Sequence, residues 1–276
     1  MGHLTHGHRS WTGDDHALAR GRLEAQIGVM PPVITLLTDF GTADGYVGEI
    51  KGALISEIPG ATIVDISHDI PVHDVELGRL TLARYWRRYP RGTVHVAVVD
   101  PGVGSARAAL AISSDGRYLV GPDNGLLSPA LLMGDSRVVE LSVPPHASPT
   151  FHGRDVFAPA AVQLAHGVDV DALGAPATDP IIRRTPEPYR EANGQLAGEV
   201  IAIDHFGNAI TNLVGMRGAK LLVNGREIAI RRNYAELEAG EIGAVVGSTG
   251  LIEIVVREGR AANALALARG AKVSLR

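Results

Sequence analysis

From Val33 onward, short runs of β-branched and aliphatic residues alternate with longer amphipathic stretches. Val33 to Thr38 has the length and apolar continuity of a strand covered on both faces, and Tyr46 to Glu57 carries helical spacing. Thr62 to Ile66 and Val94 to Val99 predict two further strands, with a helix over Val75 to Arg88 between them. Strand, helix and strand at this spacing imply right-handed βαβ units and a mostly parallel sheet covered by helices on both faces. Ala108 to Ile112 and Tyr118 to Val120 lie too close together for a crossover, so they predict a hairpin through Ser114-Asp115-Gly116-Arg117. Phe157 to Ala165 predicts the next helix.

The rhythm then breaks. Between Gly174 and Gly194 stand Pro176, Pro180, Pro186 and Pro188 among charged residues with no sustained period, the composition of a linker. Beyond it come short strands with Gly turns: Gly198 to Ile203, Lys220 to Val223, Glu227 to Ile230, Ala244 to Val246 and Leu251 to Val256. Asn224-Gly225 is a hairpin signal. The expected organisation is therefore a leader over 1–32, an α/β domain over 33–175, a linker over 176–194 and a small all-β barrel domain over 195–276.

Composition narrows the function classes. With 26 Lys and Arg against 30 Asp and Glu in 276 residues, the formal charge is −4, which argues against a nucleic-acid surface. The chain has no Cys, so thiol nucleophiles, thiolate metal sites and disulfides are excluded, and the composition suits a cytoplasmic protein. No apolar run approaches the roughly 18 to 20 residues of a membrane span, and Met1 to Ala25 lacks the apolar core of a signal peptide. His3, His6, His8 and His16 lie in a polar stretch that reads as a disordered leader rather than a metal site, with Met30 an alternative start.

Polar clusters fall where strands end. Val98-Val99-Asp100-Pro101-Gly102-Val103-Gly104-Ser105-Ala106-Arg107 reads either as an ordinary turn or as a reactive corner, with a carboxylate at a strand end and an Arg to hold it ionised. Asp39, at the end of the first strand, reads as a ligand contact suited to ribose hydroxyls, and Asp44 as a helix N-cap. Ser67 to Asp74 holds two His and two Asp, but their spacing favours loop structure with Asp74 capping the next helix. His95, inside a strand, reads as a satisfied structural histidine. Gly121-Pro122-Asp123-Asn124-Gly125 reads as a tight turn before a helix near Leu126. Thr150 to Asp155 places His152 at a helix entry, where a lone His is usually structural and Asp155 a cap. Asp204 to Asn212 reads equally as an Asx-rich turn or as an adenine-facing edge. There is no Gly-x-Ser-x-Gly elbow, phosphate loop or His-Glu-x-x-His motif.

In order, Thr-Asp-Phe-Gly from Thr38, Val-Asp-Pro-Gly-Val-Gly from Val99, Pro-Asp-Asn-Gly from Pro122, Phe-His-Gly-Arg-Asp from Phe151 and Phe-Gly-Asn from Phe206 resemble the S-adenosylmethionine (SAM) hydroxide adenosyltransferases, relatives of the SAM-dependent fluorinase and chlorinase. The resemblance runs from about Val33 to the C-terminus and implies a three-layer α/β/α domain followed by a β-barrel. It implies a catalytic set of Asp100, Arg107 and His152. Asp39 would bind ribose, Asp44 and Asp204 would face the methionine ammonium, Asn208 would contact adenine, and Ser248 and Leu251 would line the methionine end. It also implies a homotrimer whose sites lie between the first domain of one subunit and the second domain of its neighbour. Where the fluorinase stacks a Trp on adenine, this chain has His73. The halide-using relatives lack the Asp, Arg and His set that this chain keeps, which favours water over halide.

The expected reaction is hydrolysis of SAM to adenosine and L-methionine by water attacking C5′, with no metal and no cofactor. A sulfonium leaves without a general acid, so the task is to activate water: Asp100 orients it and takes its proton, while Arg107 and His152 fix Asp100. The alternatives are halogenation at the same carbon, a SAM- or nucleoside-binding module without turnover, and a His/carboxylate metallohydrolase.

Overall fold

The structure is a computed structural model that describes residues 31–215 and 218–276. The readings placed on the leader, its four His and Met30 lie outside the described residues. Strand β1 (Val33–Thr38), helix α1 (Tyr46–Glu57), β2 (Thr62–Ser67), helix α2 (Val75–Tyr85) and β3 (Val94–Val98) follow the expected alternation. The helix expected to run to Arg88 tightens into a 3₁₀ turn over Trp86–Arg88. Strands β4 (Ala109–Ser114) and β5 (Arg117–Pro122) form the expected hairpin, and its tip Asp115-Gly116 has φ of 47° and 69°, the left-handed pair that a two-residue turn needs.

After a short helix α3 (Ser128–Leu131), the sheet gains β6 (Arg137–Leu141); helix α4 (Ala158–Ala165) and β7 (Gly174–Pro176) complete the first domain. The strand order is β2-β1-β3-β5-β4-β6-β7. The β1–β2, β1–β3 and β3–β5 pairings are parallel, as crossover helices require, whereas β4, β6 and β7 add antiparallel pairings, so the sheet is mixed. Because β4 runs opposite to β3 and β5, the residues just before it return to the edge where those strands end. That edge carries the candidate chemistry.

Side chains alternate between two cores, as a pleated strand covered on both faces dictates. Ile34, Leu36, Val94, Val96 and Val98 pack with Ile50, Leu54 and Phe157, while Leu37, Ala97 and Val99 pack with Leu82, Tyr85, Trp86 and Leu126. His95 lies fully buried among the edges of Tyr85, Trp86 and Tyr89, and its Nδ1 shares a 2.8 Å hydrogen bond with Thr35 Oγ1. It is half satisfied, since Nε2 has no partner among the described residues. Burial, reinforced by the Arg117 cation, pushes its imidazole down to about 3, so it stays neutral at physiological pH.

The second sheet contains β8 (Tyr189–Arg190), β9 (Leu196–Ile203), β10 (Ala209–Val214), β11 (Lys220–Val223), β12 (Arg226–Arg231), β13 (Ile242–Val246), β14 (Leu251–Val256) and β15 (Lys272–Leu275). The order β10-β14-β13-β12-β11-β15-β9 closes through β9–β10 pairing into a seven-strand barrel, with β8 added along β9. Strand β10 falls where the sequence suggests a polar turn. Its polar side chains are spent inside the fold: Thr211 Oγ1 donates to the Ile252 carbonyl at 2.8 Å, and Asn212 Oδ1 accepts from Glu199 N at 2.7 Å.

The proline-rich connection is a tethered strap. Asp123 Oδ1 accepts from Ile181 N and Ser128 Oγ from Arg183 N, each at 2.8 Å, and Asn212 Nδ2 donates to the Pro186 carbonyl at 2.8 Å. The two domains also meet directly. Leu77 and Leu80 of α2 pack on Ile201, Ala202 and Ile210, and Arg269 makes a two-pronged ion pair to Asp74, at 3.0 and 2.6 Å. As expected, Asp74 also caps α2, accepting from Leu77 N at 2.9 Å.

Candidate active site

The run Val94 to Val99 is buried throughout, and Asp100 is the first residue past it. Pro101 and the glycines turn the chain so that Ser105 N and Oγ both reach the Gly102 carbonyl, at 3.1 and 2.6 Å. Gly104 has φ +75°, and a Cβ there would lie 2.3 Å from the Pro149 carbonyl oxygen, so the corner is seated against the loop leading to His152. Arg107, brought back by β4, grips the Asp100 carboxylate with two prongs, Nε to Oδ1 at 3.0 Å and Nη2 to Oδ2. Its Nη1 also donates to the Ala108 carbonyl at 3.2 Å, and its plane stands 5.5 Å from the Phe157 ring. The side chains of Asp100 and Arg107 are only 4% and 10% exposed, so this pair is largely removed from water.

His152 enters from the other side of the corner. It precedes a turn of π-helix, Gly153–Phe157, that leads into α4. Asp155 does not cap this helix as the sequence suggests. It sits inside the π turn, accepts from Ser148 N at 2.9 Å, and is held by Arg154. The buried His152 places Nδ1 2.9 Å from Arg107 Nη2. A guanidinium can only donate, so Nδ1 accepts, and the proton of the neutral ring sits on Nε2. Burial, and then the Arg107 cation, hold this imidazole below the usual histidine value, while Asp100 and Asp155 pull the other way. The expectation that His152 fixes Asp100 needs correction: in this network the contact runs through Arg107.

The Pro-Asp-Asn-Gly segment does more than turn the chain. Asn124 Nδ2 donates to the Val99 carbonyl at 2.8 Å and its Oδ1 accepts from Leu126 N at 3.1 Å, while Asp123 N donates to the Ala108 carbonyl at 2.9 Å. These bonds fasten the residues adjoining Asp100 and Arg107. The sequence marked the segment by its Asp-Asn-Gly composition, but only pairing between neighbouring strands shows what its amides hold.

Asp39 stands at the same edge, past β1, and its Oδ2 accepts from His73 N at 2.8 Å. His73 adopts φ +67° while making this bond. Asp44 is exposed in the loop before α1. Its expected capping role is corrected: Gly45 is the N-cap, with no side-chain cap bond. In the Ser67–Asp74 cluster, His68 is held by residues outside it, lying 2.8 Å from Thr38 Oγ1 through Nδ1 and 3.0 Å from Asp65 through Nε2.

In the barrel, Asp204 and Asn208 close the β9–β10 turn on each other: Asp204 Oδ1 accepts from Asn208 N at 2.8 Å and Oδ2 from Asn208 Nδ2 at 2.9 Å. A carboxylate only accepts, so the Asn208 amide must turn its NH₂ toward Asp204 and present Oδ1 elsewhere. Asp204, Ser248 and Leu251 line one cleft of about 900 Å³ between α2 and the barrel. Asp100, Arg107 and His152 do not line it. Within one chain the sequence-derived residues thus form two groups, one at the sheet edge and one on the barrel.

Residues 34–174 match the SAM hydroxide adenosyltransferase N-terminal domain, and residues 198–274 match the C-terminal domain of the same family. The chain belongs to the SAM hydroxide adenosyltransferase family. Within this family, an (R)-S-adenosyl-L-methionine hydrolase from Thermus thermophilus is 40% identical over 89% of this chain and 100% of its own length. A fluorinase from Actinoplanes is more distant, 31% identical over 66% of this chain and 72% of its own. A crystal structure of an uncharacterized conserved protein from Thermotoga maritima superposes with a TM-score of 0.79 at 30% identity, covering 88% of this chain and 99% of that one.

Proposed function

We propose that this adenosyltransferase-family protein hydrolyses SAM to adenosine and L-methionine, with Asp100, Arg107 and His152 activating the water. The observation that carries the reading is the buried Asp100–Arg107–His152 network at the strand-end edge, in a chain 40% identical to an (R)-S-adenosyl-L-methionine hydrolase. Water oxygen bonds to C5′ as the C5′–S bond breaks, and the electron pair leaves on sulfur, converting a sulfonium to a neutral thioether. Bonding to carbon sharply acidifies the attacking water. A carboxylate is therefore a sufficient base late in the step, and Asp100 takes the proton. Arg107 keeps that carboxylate aimed, and His152, with Nδ1 occupied, offers Nε2–H as a donor that orients the oxygen.

In this reading Asp39 accepts from the ribose hydroxyls, and Oδ1 of Asn208 accepts from the adenine amino group. Asp44 and Asp204 attract the methionine ammonium, with Ser248 and Leu251 beside it. The activity is divided between an α/β unit over 33–175 and a barrel unit over 195–276, joined by 176–194, and needs no cofactor. Halogenation is not favoured, because the fluorinases are the more distant relatives. Among the described residues no helix is long and apolar enough to cross a membrane, and we place the protein in the cytoplasm on its Cys-free composition.

Turnover in oxygen-18 water is expected to label the 5′-hydroxyl of adenosine, to continue after exhaustive chelation, and to yield no 5′-chloro-5′-deoxyadenosine in saturating chloride. Unlabelled adenosine, or SAM left intact by folded protein, would overturn the assignment. The separation of the two residue groups within one chain supports sites shared between subunits, which in this reading form a homotrimer. Asp100→Asn and Asn208→Ala proteins, each of low activity, are then expected to regain turnover when unfolded and refolded together, because some mixed interfaces carry neither change. Turnover in the mixture equal to the average of the two variants would count against shared sites.

A further inference from the structure

The end of α2 and the turn after it carry a basic patch; its Arg84 and Arg88 also border the cleft lined by Asp204, Ser248 and Leu251, whereas Arg87, Arg91 and Arg117 lie outside that cleft and have no part in the proposed hydrolysis. Buried Tyr85 and Trp86 anchor this segment, turning Arg84, Arg87, Arg88 and Arg91 to the surface. With Arg117 and Asp115 they line a shallow, open depression of about 530 Å³. Five guanidinium groups thus face one lining carboxylate, in a chain whose overall formal charge is −4.

That carboxylate is already divided among Arg87 at 3.1 Å, Arg91 at 3.3 Å and Arg117 at 2.9 Å. Asp135 accepts from Asp115 N and pairs with none of these arginines. Arg84 and Arg88 have no acidic partner within ion-pair distance among the described residues. Arg117 forms a fixed floor: its Nε donates to the Tyr89 carbonyl at 2.7 Å, Nη2 to the Arg87 carbonyl at 3.0 Å and Nη1 to the Asp115 carbonyl at 2.8 Å. Arg87 and Arg91, in contrast, are 57% and 75% exposed at the side chain. Concentrated like charge costs self-repulsion that a bound anion relieves, and planar guanidinium forks match phosphate oxygens two at a time.

We propose that this pocket binds an oligophosphate, two or more linked phosphate groups, either free or carried on a nucleotide. The arginines are spread from the last turn of α2 through the 3₁₀ turn to the loop at Arg91, so the row suits a short phosphate chain better than a single anion. The site is separate from Asp100, Arg107 and His152, and its occupancy is read by binding rather than by SAM turnover.

Calorimetric titration of the full chain with inorganic tripolyphosphate at low salt is expected to show saturable binding that weakens as salt rises. Arg87→Gln with Arg91→Gln is expected to weaken it at least 10-fold while SAM turnover and melting temperature stay as in the parent. Arg87→Lys with Arg91→Lys, which keeps charge but loses the fork, is expected to fall between. Adenosine and guanosine triphosphates distinguish the sources: affinity equal to tripolyphosphate assigns the free phosphate chain, and a preference for one base assigns a nucleotide. Absence of saturable binding, binding unchanged in the double Gln variant, or competitive displacement by single-stranded DNA at far lower concentration would overturn the proposal.

Discussion

Asp100→Asn is expected to lower kcat for SAM hydrolysis by about a thousandfold, within the range typical of a lost general base, while KM changes only a few-fold. The amide retains the shape of the carboxylate but cannot take a proton, and one of its oxygens becomes a donor facing a donor. Because the side chain of Asp100 is 4% exposed and held by Arg107, the change also leaves a guanidinium partly unmatched, so some loss of melting temperature accompanies it. Steady-state kinetics with a parallel thermal melt separates the two effects. A proportional rise in KM with kcat intact would assign Asp100 to binding rather than to the chemical step.

Arg107→Leu is expected to be more damaging to the fold. It strands a buried carboxylate and removes the donor to His152 Nδ1, and breaking a buried pair by deleting one partner costs about 3–5 kcal/mol. For a chain of this size that corresponds to a drop of about 10 °C in Tm. Arg107→Lys restores charge and part of the stability, but one ammonium cannot reproduce the fork that joins Asp100 to His152, so turnover stays low. The same variants test the His152 environment. Its lowered value means that the unfolded chain takes up a proton first as pH falls below the ordinary histidine range near 6.5, so this group's contribution to stability is full above that pH and erodes below it. Removing the Arg107 cation brings the folded value back toward the unfolded one, which is expected to flatten that erosion. An NMR titration of His152 in Arg107→Leu should therefore move to higher pH. A midpoint unchanged from the parent would remove Arg107 as a cause of the depression.

Much of the architecture was legible along the chain because it rests on local periodicity. β1 and β3 bury continuous apolar runs, α1 buries a helical stripe and edge strand β2 half-buries Ile63, Val64 and Ile66, while Asp115-Gly116 and Asn224-Gly225 supply turn chemistry that has few alternatives. The misses share a cause. β10 reads as a polar loop because Thr211 and Asn212 look solvated until the strand partners and the strap that satisfy them are present. β6 and β15 go unread along the chain, and the mixed character of the sheet depends on β5 pairing with β3 and β6 with β4, pairings between distant segments that no local pattern encodes.

The site divides along the same line. Residue order was enough to nominate Asp100, Arg107, His152 and Asp39, since strand-end carboxylates and the ordered motifs are properties of the chain. Who bonds to whom was not, because hydrogen bonds are set by three-dimensional proximity. Folding makes Arg107 the hub between Asp100 and His152, fixes the His152 proton on Nε2, sets Asn124 and Asp123 as the clasp behind the corner, and leaves Asp44 without its cap. It also gathers Asp204, Ser248 and Leu251 into a cleft apart from the corner, and turns an arginine-rich helix end into a pocket around one shared carboxylate. Covalent order carries chemical type and local shape, whereas burial, proton position and the sharing of charge arise only when distant segments exclude water together.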